Sequence, residues 1–278
     1  MSFNNYKDLE LEELNYNSYL KLDKLLNLQQ EISNPVHHDE MFFIVIHQTA
    51  ELWFKEMLHE TETLVEGFRS GMVSHALKAL KRIGAIMNLQ VQQIRLLSTL
   101  TPIEFAGFRD LLRPASGFQS AQWRIMEFTY GVRNPFFVKF FEIMPDVKAR
   151  LEHALTIPSV YDECLFSLNE MSHKLPESLL KRDYSQPREM SEELIKVILD
   201  IYENPKDNYH WVLLFEAMMD LDESFVRWRK THAVMVHRTI GNQMGTGGSS
   251  GFNFLKSRED THTFPELWEV RNRIGGSY

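Results

Sequence analysis

Three side chains in this sequence stand where their type and surroundings suit chemistry. His47 lies in DEMFFIVIHQTAELWF, four residues after Phe43, three before Ala50 and seven before Phe54. At helical spacing these residues share one face. One imidazole then projects from an aromatic and aliphatic stripe, either as a core histidine with a partner or as one wall of a pocket. His232, in FVRWRKTHAVMV, has Trp228 at i−4, Met235 at i+3 and Val236 at i+4. An imidazole on such a stripe is a satisfied core group or an axial ligand to haem iron. Arg109, in PIEFAGFRDLL, shares a face with Phe105 and adjoins Phe108. A guanidinium beside aromatic rings suits a bidentate grip on a carboxylate whose other end is apolar. The plainer alternative is a surface ion pair with a neighbouring acid. RPASGFQS follows at once, a turn whose Ser116 and Gly117 bring backbone N–H groups close to a ligand.

The other histidines invite a different question. Glu56…His59 and Glu170…His173 are E-x-x-H pairs. Two such pairs and two further glutamates build a di-iron site in a four-helix bundle. The second pair, however, falls at the frayed end NEMSHKLPES, just before Pro176. His37-His38 reads as local capping before Asp39-Glu40. His75, His153, His210, His237 and His262 read as surface or core residues, and Cys164 as a small buried apolar one.

MGTGGSSGF, residues 244–252, packs four glycines, a threonine and two serines into nine positions. A hinge between domains is disfavoured because little chain follows it. A phosphate loop needs G-x-x-x-x-G-K-[ST] after a strand, whereas this loop follows a helical pattern and contains no lysine. A mobile part of a binding site, with residues 245–251 ordered by bound ligand, is the expectation that remains.

These groups must be held by helices. Apolar residues recur at three- and four-residue spacing from Asp39 to Phe68 and again in MVSHALKALKRIGAIMNLQVQQIRLLSTL after Gly71. Thr101-Pro102-Ile103-Glu104 opens a helix as N-cap, first-turn proline and capping-box glutamate, and PIEFAGFRDLL reads as one helix ending before Pro114. Further helices are expected at Gln119–Tyr130, Pro135–Ile143, Val147–Leu155, Ser159–Met171, after Ser191 until Pro205, and from about Asp207 to Ile240, capped by Gly241. Alternating strand patterns are missing apart from ambiguous pieces such as FFIVI. The fold class is therefore all-α, one large helical-bundle domain over 1–278 with long core helices.

Composition narrows the function. The chain has 278 residues, 44% hydrophobic and 24% charged, and a formal net charge of −8. That acidity disfavours a general grip on nucleic acid or on an anionic membrane surface. One cysteine excludes an intrachain disulfide and every multi-cysteine metal site. The N-terminus lacks an apolar signal core and no run is long enough to span a bilayer, so the expected location is the cytoplasm.

Long segments carry a resemblance: YNSYLKLDKLL, HHDEMFFIVIHQTAELWFKEMLHE, LTPIEFAGFRDLLRPASGFQSAQWRIMEF, FVRWRKTHAVMVHRTIG, GTGGSSG and FPELWEVR. In this order they resemble the tryptophan 2,3-dioxygenase family. The resemblance implies an all-helical homotetramer with one b-type haem per subunit, active with ferrous iron. It implies insertion of both atoms of O2 across the indole C2–C3 bond of L-tryptophan to give N-formylkynurenine, the first step of tryptophan catabolism by the kynurenine pathway. By the same resemblance His232 is the proximal iron ligand and His47 the distal histidine that hydrogen-bonds the indole N–H. Arg109 pairs with the substrate carboxylate, and Thr246 contacts its ammonium and carboxylate. Phe43 and Phe105 pack on the indole, and Ser116 and Gly117 lie near the haem edge. Tyr16 and Tyr19, in a segment of about 1–35, reach the neighbouring subunit's pocket. Several bacterial members have tyrosine where this chain has Phe105, so a hydroxyl contact there is not general. Indoleamine dioxygenases have serine at the position of His47 and accept more indoles, which sides this chain with the tryptophan-selective branch. The rival readings are a di-iron carboxylate oxidase and a non-enzymatic haem-binding helical oligomer.

Overall fold

Every regular element among the described residues, 14–248 and 250–275 of a computed structural model, is helical. Two short helices, α1 (Tyr16–Leu20) and α2 (Leu22–Leu25), precede the long α3 (His38–Arg69) and α4 (Val73–Leu97). Then come α5 (Pro102–Ala106), α6 (Ala121–Thr129), α7 (Pro145–Thr156), α8 (Val160–Met171) and α9 (Glu177–Leu180). The chain closes with α10 (Glu192–Glu203), α11 (Pro205–Ile240), α12 (Phe252–Lys256) and α13 (Pro265–Arg271). At ~1.5 Å per residue, α11 is roughly 54 Å long.

Local chemistry sets several of these starts. The His37 ring accepts from Asp39 N at 3.3 Å, the capping expected of the histidine pair. Thr101 accepts from Glu104 N at 3.3 Å while Glu104 Oε2 accepts from Thr101 N at 2.7 Å, the reciprocal box anticipated at α5. Ser159 and Asp162 repeat it at α8, and Ser191 caps α10.

Helix α4 packs against both α3 and α11, and these three long helices form the frame. Leu64, Ile83, Leu165, Ile195, Trp211 and Phe215 are fully buried in the main core. Side chains of this size contribute about 1.5–3 kcal/mol each on burial. Cys164 belongs to the same core, 3.8 Å from Met218 Sδ, and burial pushes its thiol far above the ordinary range. A smaller cluster of Ile46, Ile94, Leu97, Leu100, Phe108 and Met235 joins the ends of α3, α4 and α11. No helix among the described residues is long and apolar enough to cross a membrane.

PIEFAGFRDLL is not one helix. The α-helical turns stop at Ala106, Phe108 adopts φ −131°, and residues 109–112 form a 3-10 turn. The cause is tertiary: Phe108 is buried against the His37 ring, with centroids 5.3 Å apart, and against Phe43. Residues 135–141 are likewise 3-10 rather than α. Helix α11 begins at Pro205, with a kink at Asn208, rather than at Asp207. Helices α1, α2, α9, α12 and α13, of four to seven residues each, are too short to leave a periodic signal.

Candidate active site

A cavity of about 590 Å³ opens between α3, α4, α6 and α11, bordered on one side by residues of the segments 105–120, 245–246 and 251–258. Phe43, His47, Phe105, Arg109, Ser116, Gly117, His232 and Thr246 all line it. Tyr16 and Tyr19 do not: their side chains face solvent, 73% and 74% exposed. The two E-x-x-H pairs are also elsewhere. His59 and Glu170 are exposed, and the described residues hold no cluster of three or more His, Cys, Asp or Glu able to bind a metal.

One end of the cavity is aromatic. Phe43 stacks on Phe105 with centroids 5.5 Å apart and lies 4.1 Å from the His47 ring. His47 Nδ1 is 2.7 Å from the carbonyl of Phe43. A carbonyl only accepts, so Nδ1 carries the proton and Nε2 is left as an acceptor. Crowding by protein lowers the His47 pKa below the ordinary imidazole value, although the Phe43 carbonyl and the Glu51 charge pull the other way. The ring is therefore neutral near pH 7.

His232 enters from α11 with its ring 5.2 Å from Trp228, which in turn packs 4.1 Å from Trp123. It makes no hydrogen bond to any described residue. Burial, with His47 and Arg124 adding to the effect, pushes its pKa down to about 4. A neutral imidazole without a protein partner, set among tryptophans, has the state required of a metal ligand.

The cavity also holds groups that the sequence did not single out. Arg124 pairs with Glu127, and Arg258 Nη2 lies 3.7 Å from the same carboxylate. Arg229 is near enough for Glu127, Arg258 and Arg124 all to act on its charge. Arg124 Nε, Arg258 Nη2 and Trp228 Nε1 are buried without hydrogen-bond partners among the described residues. Three guanidiniums around Glu127 leave cationic donors for an anionic group. Glu51, one turn after His47, accepts from Ser120 Oγ at 2.5 Å and Gln122 Nε2 at 2.9 Å, fixing α3 to the start of α6. The i+4 relation of Glu51 to His47 and the i−3 relation of Arg229 to His232 were the available signals.

Arg109 reaches the cavity from the 3-10 turn. It makes no surface ion pair: Asp110 bonds instead to Arg113 at 3.3 Å. Arg109 Nη1 donates to Gln243 Oε1 at 2.5 Å and Nη2 donates to the carbonyl of Met244. Thr246 Oγ1 donates to the carbonyl of Ala115 at 2.6 Å. A Cβ on Gly247 would sit 2.5 Å from Ser116 Cβ, so glycine is what lets the loop lie against that segment.

This is an all-helical protein built around a cavity that joins an imidazole without a protein partner to aromatic walls and clustered guanidiniums. The sequence matches the family model for tryptophan 2,3-dioxygenase over residues 4–158 and 184–274. It is 44% identical to the tryptophan 2,3-dioxygenase of Arthrobacter sp. (strain FB24) across 94% of this chain and 92% of that one. The enzymes of the same name from Serratia proteamaculans (strain 568) and Bacillus anthracis are 41% and 40% identical, each across 95% of this chain and 94% of the relative. The chain belongs to the tryptophan 2,3-dioxygenase family.

Proposed function

We propose that this chain is a haem-dependent dioxygenase that converts L-tryptophan and O2 to N-formylkynurenine. The observation carrying the reading is a single cavity in which partnerless His232 lies on the same walls as Phe43, Phe105, His47, Arg109 and Thr246. The residues fit haem b. His232 would hold the iron, Trp123, Trp228, Met235 and Val236 offer apolar surface to a macrocycle, and the donors of Arg124, Arg229 and Arg258 suit its two carboxylates. Ser116 and Gly117 would border its edge. When bound, ferrous haem supplies the oxygen chemistry that opens the indole C2–C3 bond.

The protein's share is selection and orientation. Tryptophan is a zwitterion with a large apolar body. Phe43 and Phe105 flank the indole, and His47 Nε2 accepts its N–H, orienting the ring rather than serving as an obligatory base. Arg109 takes the carboxylate. Thr246, whose hydroxyl proton is committed to Ala115, offers lone pairs to the ammonium. A ligand lacking one of these groups leaves a buried partner unpaired, which is how such a site discriminates.

The reading extends to a single domain over 1–278 that assembles as a homotetramer in the cytoplasm. Its 1–35 segment reaches a neighbouring subunit's pocket through Tyr16 and Tyr19. Residues 1–13 lie outside the described residues. Leu26, Leu28, Ile32 and Val36 are exposed along with the two tyrosines, an apolar run that suits burial against another copy.

The deciding experiment mixes reduced, haem-loaded protein with L-tryptophan and O2. Formation of N-formylkynurenine supports the reading. A Soret band without product would make the chain a non-enzymatic haem binder, and a protein that takes up iron without haem would favour the di-iron alternative.

A further inference from the structure

The loop after α11 and the arginine after α5 are bound to each other before any ligand is considered. Gln243 Oε1 and the Met244 carbonyl take one hydrogen each from the two terminal nitrogens of Arg109. A guanidinium has five donors, so one hydrogen on each terminal nitrogen and the Nε–H remain. Nε is buried and has no hydrogen-bond partner among the described residues. Both loop acceptors are neutral. They fix the plane of the guanidinium and leave its charge intact, whereas a carboxylate in either place would cancel that charge.

Gln243 is itself held. Its N–H donates to the Ile240 carbonyl at 3.2 Å, at the end of the helix that carries His232. Its own carbonyl lies 2.6 Å from where a Cβ on Gly251 would stand, and Gly251 has φ +56°. The two ends of the glycine-rich loop are thus packed together around the residue that grips Arg109.

We propose that Gln243 is a positioning residue for recognition of the substrate carboxylate. Its amide oxygen orients Arg109 so that the remaining donors face the cavity, and it makes docking of the loop and aiming of the arginine one event. The ligand class selected in this way is an indole bearing a carboxylate, against the same indole without one. The proposal rests on the reading of Arg109 as the carboxylate clamp.

The test measures dissociation constants for L-tryptophan and for tryptamine, which lacks the carboxylate, from the Soret shift of the haem-loaded protein. In Gln243→Glu the side chain still reaches Arg109 and keeps the loop docked, but it neutralises the guanidinium. L-tryptophan affinity is expected to fall at least tenfold and tryptamine affinity less than twofold, with haem content and subtilisin resistance of the loop as in the parent. Gln243→Leu removes the acceptor and is expected to weaken L-tryptophan selectively by a smaller factor, with easier cleavage of the loop. Equal weakening of both ligands in Gln243→Glu would reduce Gln243 to structural support and overturn the proposal, as would unchanged L-tryptophan affinity. Arg109→Ala separates the two readings. If it leaves the ratio of the two dissociation constants unchanged, the clamp itself is wrong. If it collapses the ratio while Gln243→Glu does not, the clamp stands and Gln243 has no part in it.

Discussion

Thr246 and Ala115, 131 residues apart in sequence, are joined by a hydrogen bond of 2.6 Å from hydroxyl to carbonyl. With its proton committed, the Thr246 oxygen is an acceptor only. Thr246→Val keeps the shape and removes both the tie to Ala115 and the acceptor. The expected loss is about 1.5 kcal/mol, roughly tenfold in kcat/KM for L-tryptophan. Haem content should be unchanged, and Thr246→Ser should recover most of the loss. Steady-state kinetics beside a haem assay checks this, and a fall in haem content would move Thr246 into the cofactor's support.

Among the described residues, His232 and His47 are the histidines that line the cavity, and burial keeps His232 neutral. His232→Ala should lose haem on purification or retain it with a displaced Soret band. Added imidazole, small enough for the space left by the side chain, should move that band back. A spectrum indistinguishable from the parent protein's would rule this residue out as the axial ligand.

The sequence exposed the site unevenly, and the reason is geometric. His47, Phe43 and His232 were legible because each lies on a long helix whose apolar stripe marks its inner face. Arg109 was legible by type, but its route was not. The expected continuous helix breaks where Phe108 is buried on the His37 ring, and no local signal encodes a contact 71 positions away. Arg124 and Arg258 carried no such signal, because an arginine's place in the sequence does not reveal whether Glu127 and a cavity await it. The loop at 245–251 was expected to take its order from a ligand. The bond of Thr246 to Ala115, with those of the adjoining Gln243 and Met244 to Arg109, supplies a source of order within the chain itself. Hydrogen bonds across more than a hundred residues leave no periodic trace.

Away from the cavity, Asp162 anchors the start of α8. Its carboxylate is 1% exposed and accepts from Arg182 Nε at 2.9 Å and Nη2 at 2.7 Å, with Arg188 at 3.4 Å. Burial pushes its pKa up, but the hydrogen bonds from Arg182 and Ser159 outweigh that and hold it below the usual value. The folded pKa is thus depressed relative to an unfolded value of about 3.9. The stability this group contributes is present above that value and disappears as pH falls through the lower folded one. Asp162→Asn strands the Arg182 charge, while Arg188 keeps Glu266 at 3.8 Å, and should cost about 3 kcal/mol near pH 7 by urea unfolding. The gap between parent and variant should narrow in acid below pH ~4. A gap independent of pH would mean that packing, not charge, is what Asp162 provides.

The seat of the glycine-rich loop can be tested by a clash and its relief. A Cβ at position 247 would meet Ser116 Cβ at 2.5 Å and Oγ at 2.7 Å. Ser116 has little room to move, because its hydroxyl accepts from Phe118 N at 3.3 Å and caps the 3-10 turn 117–119. Gly247→Ala must therefore lift the loop, loosening the bonds of Thr246 to Ala115 and of Arg109 to Gln243. Overpacking on this scale costs about 2 kcal/mol, roughly 30-fold in kcat/KM if the whole penalty falls on the docked loop. Adding Ser116→Gly removes both clashing atoms and leaves only the Ser116 Cα, 3.9 Å away, an ordinary contact. The double variant should then be more active than Gly247→Ala alone, despite the lost cap. If it is no better, the loop is not seated on Ser116, and its glycines serve some other contact.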